Sequence, residues 1–352
     1  VVLTGENGAG KTNLLEAVSL FAPGRGLRRA AIGELARLNG SAPWAVSAEM
    51  STFHGIVTIG TGLQVKQGEA ETLSRIVRID GETAGGLGVL GDYVEVSWLT
   101  PAMDGLFTGP ASDRRRFLDR YVAAFDPGFR KLQNLFERAM RQRNRLLETG
   151  QLKDTLFDSL ELQMAEYGTA LGAKRLEVLR RLDAVIQSRR RDSAMAFPWS
   201  TLRLEGTIEN MLLEMPAIEV EDAYIAMLRD RRVRDRAARR TLEGPHRSDF
   251  IVGHGPKDIS ARYCSTGEQK SLLISLVLAN VQLIKQIHDG IAPIVLLDEI
   301  AAHLDRDRRV ALFDDILRLQ AQAWMTGTDR TMFSSFGNRA QYLTVENGSI
   351  SV

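Results

Sequence analysis

The 352-residue sequence carries 45 Lys+Arg against 44 Asp+Glu, a formal charge of +1, with 44% hydrophobic and 25% charged residues. That composition excludes a disordered, collagen-like or coiled-coil-only chain, and the length predicts about two domains. A single cysteine, Cys264, cannot build a disulfide framework, so a reducing compartment and a cytoplasmic location are expected. The longest apolar stretch, 272–287, is interrupted by Ser275, Asn280, Gln282 and Lys285. It is read as falling short of the ~20 apolar residues of a membrane span. No basic-then-apolar leader opens the chain, so no membrane partner is expected.

Residues 1–4 read as a buried strand running into a glycine loop, and 11–20 as an amphipathic helix. A central strand rarely opens a natural chain, so the true N-terminus is expected to precede residue 1. Short strands at 44–50, 55–59, 73–79 and 93–99 alternate with glycine turns. From about 111 to 243 the character is helical and arginine-rich, with apolar residues at 167, 171, 178, 182 and 185 in helical period. Residues 111–192 hold 18 Lys+Arg against 12 Asp+Glu, so the basic excess sits there and the remainder is slightly acidic. The α/β pattern returns with a strand at 249–253, a helix at 267–287 and a strand at 294–297. A helix at 306–319 and strands near 322–326 and 341–346 complete it. The expected organisation is one α/β domain made of 1–105 and 244–352, with a helical insertion at 106–243.

Gly5-Glu6-Asn7-Gly8-Ala9-Gly10-Lys11-Thr12 matches G-x-x-x-x-G-K-[ST], between a strand and a helix as that motif requires. Its glycines let backbone N–H groups face a phosphate, and the helix N-terminus adds roughly half a positive charge. Lys11 is placed to reach the β- and γ-phosphates of ATP, and the Thr12 hydroxyl to join the Mg²⁺ shell. Pro293-Ile-Val-Leu-Leu-Asp298-Glu299 is an apolar strand that delivers two carboxylates at its C-terminal end. Asp298 is read as a metal residue and Glu299 as the group that orients or deprotonates the attacking water. The long separation between the two motifs calls for a large insertion, in agreement with the helical zone.

Ser265-Thr266-Gly267-Glu268-Gln269 opens a long apolar helix about thirty residues before Asp298, and Leu304-Asp305 follows the acids. This ordered set resembles the ATP-binding-cassette ATPases. The resemblance implies an α/β fold, an ABC-type P-loop ATPase head with an inserted, mainly helical second domain. It also implies ATP and Mg²⁺ as cofactors, with Gly5 to Asn13 (Glu6, Asn7, Ala9 and Asn13 included) around the phosphates. Ser265, Thr266, Gly267, Glu268, Gln269 and Asp305 would serve a nucleotide bound by a second subunit, so that ATP joins a head-to-tail homodimer. The N-terminus of the signature helix suits an anion for the same reason as the phosphate loop.

Within that superfamily, Gly244-Pro245-His246-Arg247-Ser248-Asp249 is similar to a G-P-H-R-x-D element of the RecF family. Gly109-Pro110 followed by Arg114-Arg115-Arg116-Phe117-Leu118-Asp119, and Gly24-Arg25-Gly26-Leu27-Arg28, fit the same family. That resemblance implies an ATP-dependent DNA-binding recombination mediator at single-stranded gaps and junctions, with weak DNA-dependent ATP hydrolysis. It implies action with RecR and RecO in loading RecA. Three positions depart from the pattern: Trp98 stands where a Gln often contacts Mg²⁺, Thr266 where transporters have Gly, and Thr326 or Thr328 near the place of a switch histidine.

Arg114–Arg116, Arg138, Arg141, Arg143, Arg145 and Arg189–Arg191 are candidates for DNA phosphates, against the plainer reading of solvated helix faces with pairs such as Glu137–Arg141. Few aromatics interleave them, which favours backbone contact over base stacking. Arg247 could be structural or sense phosphate. His246 and His303 read as packing or hydrogen-bonding residues, and Cys264 as a small apolar one. Competing readings are a transporter cassette and an SMC- or Rad50-like head, the latter marked by a long antiparallel coil at 130–190.

Overall fold

A computed structural model describes residues 1–36, 43–52, 54–66, 72–149, 154–191 and 196–351. The chain opens with β1 (Val2–Thr4), three buried residues suited to a strand covered on both faces, and α1 (Lys11–Ser19). An antiparallel meander follows: β2 (Ala45–Thr52), β3 (Gly55–Lys66), β4 (Thr72–Ile79) and β5 (Glu82–Thr83), then a separate strand, β6 (Val96–Leu99). Next come α2 (Ala111–Phe125), α3 (Phe129–Thr149), α4 (Asp154–Arg191), β7 (Ser200–Glu205), α5 (Thr207–Glu214), α6 (Ala217–Asp230) and α7 (Arg232–Ala238). β8 (Asp249–His254), β9 (Ile259–Ser260) and α8 (Thr266–Ile287) lead to β10 (Ile294–Leu297) and α9 (Arg306–Leu319). β11 (Ala323–Gly327), β12 (Tyr342–Glu346) and β13 (Ser349–Ser351) close the chain.

Packing divides the molecule into two compact units, 1–104 with 192–197 and 273–352, and 105–191 with 198–272. The first unit is built on a sheet of order β13-β12-β1-β11-β10-β6, parallel except for β13. Leu3 on β1, Leu15 on α1, Ile59 and Val77 on the meander, and Leu296 on β10 share one buried core. Phe313 on α9 stacks on Phe333 and Phe336.

The second unit is a helical bundle around α4, with a small β7-β8-β9 sheet. Leu171, Val178, Leu182 and Val185 are buried as their helical spacing predicts. Gly168 lets Tyr224 and Phe136 close on α4: a Cβ there would lie 3.0 Å and 3.2 Å from their rings. α3 and α4 form an antiparallel pair, matched at Arg143 with Glu161, but α4 is also covered by α2, α5 and α6. The pair is therefore part of a bundle and not a free coiled-coil arm.

Two expectations differ from this arrangement. Residues 244–272 pack with the helical unit and not with the α/β unit that follows them, because β8 pairs along its length with β7, a strand inside the zone expected to be mainly helical. α8 is 22 residues long and apolar enough, by length and composition, to cross a membrane, so the interruptions do not make it too short. Residues 271–281 are nonetheless all buried, which makes α8 a core helix.

Candidate nucleotide site

The loop between β1 and α1 has the backbone a phosphate cradle needs. Gly8 and Gly10 sit at φ +85° and +107°, where side chains are disfavoured, and a Cβ on Gly5 would lie 2.2 Å from the Val345 carbonyl oxygen. Lys11 is buried, and its Nζ donates to the Gly5 and Glu6 carbonyl oxygens at 2.6 and 2.8 Å. The ammonium is thus held on the loop that would surround a phosphate. Asn13 accepts a hydrogen bond from Arg28, whose backbone N–H donates to Glu16 Oε2 at 2.9 Å. Burial pushes the Glu16 carboxyl above its usual range. These contacts give Gly24–Arg28 a local role: a Cβ on Gly26 would fall 2.5 Å from Glu16 Oε1.

β11 lies between β1 and β10, so the first and second halves of the motif set meet across it. Thr12 Oγ1 donates to the Asp298 carboxylate, 3.1 Å from Oδ1 and 3.2 Å from Oδ2. Asp298 is buried, and its N–H donates to the Leu99 carbonyl at 2.9 Å. Thr326 Oγ1 donates to Asp298 Oδ1 at 2.8 Å and accepts the Glu299 N–H at 2.8 Å. Glu299 takes the left-handed conformation, φ 53° and ψ 19°. Of the two threonines singled out in the sequence, Thr326 is buried on the acids and Thr328 is exposed.

A hydroxyl beside a carboxylate is a hard-oxygen donor pair of the type that Mg²⁺ uses when water and phosphate oxygens complete its shell. Among the described residues there is no cluster of three His, Cys, Asp or Glu to hold a metal without such help. Trp98 is in register with Leu296 on β10 and offers only an indole donor, so it cannot replace a Gln as a metal ligand.

The signature residues begin α8 within the second unit. Ser265, Thr266 and Gly267 are exposed. Ser265 and Glu268 form a capping box: the Ser265 N–H and Oγ donate to Glu268 Oε2, each at 2.9 Å, and Ser265 Oγ accepts the Glu268 N–H at 3.4 Å. The Lys257 ammonium, paired with Glu268, holds that carboxyl down to about 2. Gln269 is turned inward, its Nε2 donating to the Cys264 carbonyl at 2.9 Å. Burial pushes the Cys264 thiol up. Asp305 caps α9, accepting the Arg308 N–H at 2.8 Å. The His303 side chain lies outside the described residues.

The basic residues of the second unit separate into two groups. Arg114 makes a forked pair with Asp249, Nε to Oδ1 at 2.8 Å and the terminal nitrogen to Oδ2 at 2.7 Å. Arg115 donates to the Ser248 carbonyl at 2.6 Å. The G-P-H-R-S-D turn and the arginine run thus hold each other. Arg143, fully buried, bonds Glu161, Asp235, Thr241 and the Leu228 carbonyl. Arg175, absent from the sequence candidates, is buried on Asp119, Glu209 and the Pro245 carbonyl. These arginines are committed to the fold, and Arg114, Arg115 and Arg143 are withdrawn as phosphate contacts. Arg138, Arg141, Arg145, Arg190, Arg191 and Arg247 are exposed.

Sheet order, glycine loop and paired acids define an ABC-type P-loop ATPase head, joined in sequence to a mainly helical unit. The chain belongs to the RecF family. The RecF/RecN/SMC N terminal domain profile matches residues 1–351. DNA replication and repair protein RecF of Agrobacterium fabrum is 51% identical over 352 residues, 100% of this chain and 92% of that protein. The protein of the same name from Rhizobium meliloti is 51% identical over 351 residues, with the same coverage. A solved structure of the recombination mediator protein RecF-ATP in the RecFOR pathway shares the fold. Its TM-score is 0.82 at 19% identity, over 99% of this chain and 90% of that one. A RecF-ATPrS structure gives 0.78, again at 19% identity, over 99% and 91%.

Proposed function

We propose that this chain is an ATP-dependent DNA-binding repair protein of the cytoplasm, a recombination mediator that acts as an ATP-induced homodimer at single-stranded gaps and junctions. The observation that carries the reading is the convergence of Lys11, Thr12, Asp298 and Glu299 at one end of the parallel strands β1 and β10 of a single sheet. The names of its relatives support the assignment to DNA replication and repair, and the RecF-ATP structure supports ATP as the nucleotide.

Backbone N–H groups of the glycine loop and the Lys11 ammonium would bind and neutralise the β- and γ-phosphates. Thr12 and Asp298 would hold Mg²⁺, which withdraws charge from those phosphates when bound. Glu299 would take the proton of the attacking water on its carboxylate. The exposed Ser265–Gly267 helix start of one subunit would cap the γ-phosphate held by the other, so hydrolysis would release the pair and reset it slowly. Partnership with RecR and RecO, and loading of RecA, extend this reading from the family resemblance.

The DNA-facing surface is assigned to α3. Lys131, Arg138 and Arg145 are exposed and recur every seven residues along one face, about 10 Å apart at 1.5 Å per residue. Asp154, Asp158 and Glu161, the acids at the neighbouring end of α4, are already engaged by Arg143, Arg229 and Arg232. Lys131, Arg138 and Arg145 would be the α3 cations that meet DNA phosphates.

Phosphate release from ATP, with and without gapped DNA, tests the reading. Mg²⁺-dependent release that DNA stimulates and Glu299→Gln abolishes is expected. A wild-type chain that releases none would overturn it.

A further inference from the structure

We infer that Thr326 is a positioning residue for ATP hydrolysis, a single hydroxyl that sets both acids at the end of β10. The inference rests on the ATPase reading above and deepens it. It gives Thr326, one of the two threonines near the place of a switch histidine, a task of its own.

The placement follows from strand register. β11 pairs with β10 with Met325 opposite Leu297, which brings Thr326 level with Asp298. Its side chain is 1% exposed. A hydroxyl has one proton to give and lone pairs to accept with. Here the proton goes to Asp298 Oδ1 at 2.8 Å, and the oxygen accepts the Glu299 N–H at 2.8 Å. Asp298 Oδ1 also receives Thr12 Oγ1, so one carboxylate oxygen joins the phosphate-loop helix to β11. A Thr12 hydroxyl recruited to a metal would leave that oxygen its bond from Thr326.

Glu299 explains why the second bond matters. A non-glycine residue at φ 53° is disfavoured and persists only where its surroundings over-determine it. β10 ends at Leu297, and the Glu299 N–H turns to a side-chain oxygen on the adjacent strand instead of continuing the ladder. Without that acceptor the N–H would be left unpaired beside a buried carboxylate, and the left-handed turn that aims the proposed base would lose its tether. A hydroxyl is needed because a backbone carbonyl could accept from Glu299 but could not donate to Asp298.

The alternative is that Thr326 merely satisfies two polar groups and stabilises the strand end. The two roles separate in kinetics. Thr326→Val keeps the β-branched shape that suits a strand and deletes both bonds, Thr326→Ala deletes them without bulk near the carboxylate, and Thr326→Ser keeps the hydroxyl. Each full chain is assayed well below its own melting temperature, beside wild type and Glu299→Gln, with ATP and Mg²⁺ varied independently. The expected result for Val and Ala is a kcat at least about ten-fold lower, with KM for ATP changed less than about three-fold. Their half-saturating Mg²⁺ concentration rises, and Ser recovers most of both losses. Val and Ala variants with wild-type kcat and Mg²⁺ dependence overturn the inference, as does a Ser variant as slow as Val. Absence of Mg²⁺-dependent hydrolysis in the wild type instead sinks the ATPase reading itself, so the two failures are distinguishable.

Discussion

Thr12 Oγ1 lies 3.1 Å from Asp298 Oδ1 across 286 positions of sequence, which makes the phosphate-loop helix and the end of β10 one polar centre. If that centre holds Mg²⁺, Asp298→Asn should abolish the gain in ATP affinity that Mg²⁺ gives the wild type. Nucleotide titrations in Mg²⁺ and in EDTA measure this directly. Persistence of the full Mg²⁺ effect in Asp298→Asn would place the metal elsewhere.

Arg143 predicts a stability effect confined to the fold. Its side chain is 0% exposed and bridges Glu161 and Asp235, both buried. Arg143→Leu would take this cation from Asp235 and leave Glu161 to Arg232 alone, and breaking a buried pair from one side costs about 3–5 kcal/mol. Urea denaturation should show a loss of that order, and a loss below about 1 kcal/mol would contradict the network assigned here.

The α3 face makes a prediction about salt. Each phosphate contact contributes about 0.9 to the slope of log affinity against log salt on duplex DNA. Changing Lys131, Arg138 and Arg145 together to Ala should lower the slope magnitude by about 2 to 3 and weaken binding to all sequences alike. An unchanged slope would remove α3 from the DNA surface.

His246 supplies a pH dependence. Burial, aided by Arg115, Arg247 and Arg175 nearby, pushes its imidazole down to about 4 from an ordinary 6.5. Between those values the unfolded chain takes up a proton that the folded chain refuses. The stability of the neutral ring is therefore complete above pH 6.5 and is lost as pH falls towards about 4, on the order of 3 kcal/mol in all. His246→Gln should flatten that part of the stability curve, and parallel curves for the two proteins would refute the assignment.

The phosphate loop and the Asp298-Glu299 strand end were legible because each is a contiguous pattern whose glycines, lysine and acids have few other uses in that order. The arginines were not. Arg114 and Arg138 look alike in sequence, and what separates them is Asp249, 135 positions away from Arg114. The boundary near 243 misled for a similar reason: β8 does alternate as a strand, but its partner is β7, a six-residue strand in a helical context. In sequence Thr326 is only a polar residue near the place of a switch histidine. Its hydroxyl acquires meaning from the register of β11 on β10, which no local pattern encodes.

In the proposed mechanism ATP joins two copies across Lys11 of one and Ser265 of the other. Light scattering of Glu299→Gln with and without saturating Mg²⁺-ATP, with Lys11→Ala as the companion, tests it most directly. Glu299→Gln is expected to double in mass on ATP addition while Lys11→Ala stays monomeric. Glu299→Gln remaining monomeric with ATP demonstrably bound would contradict it.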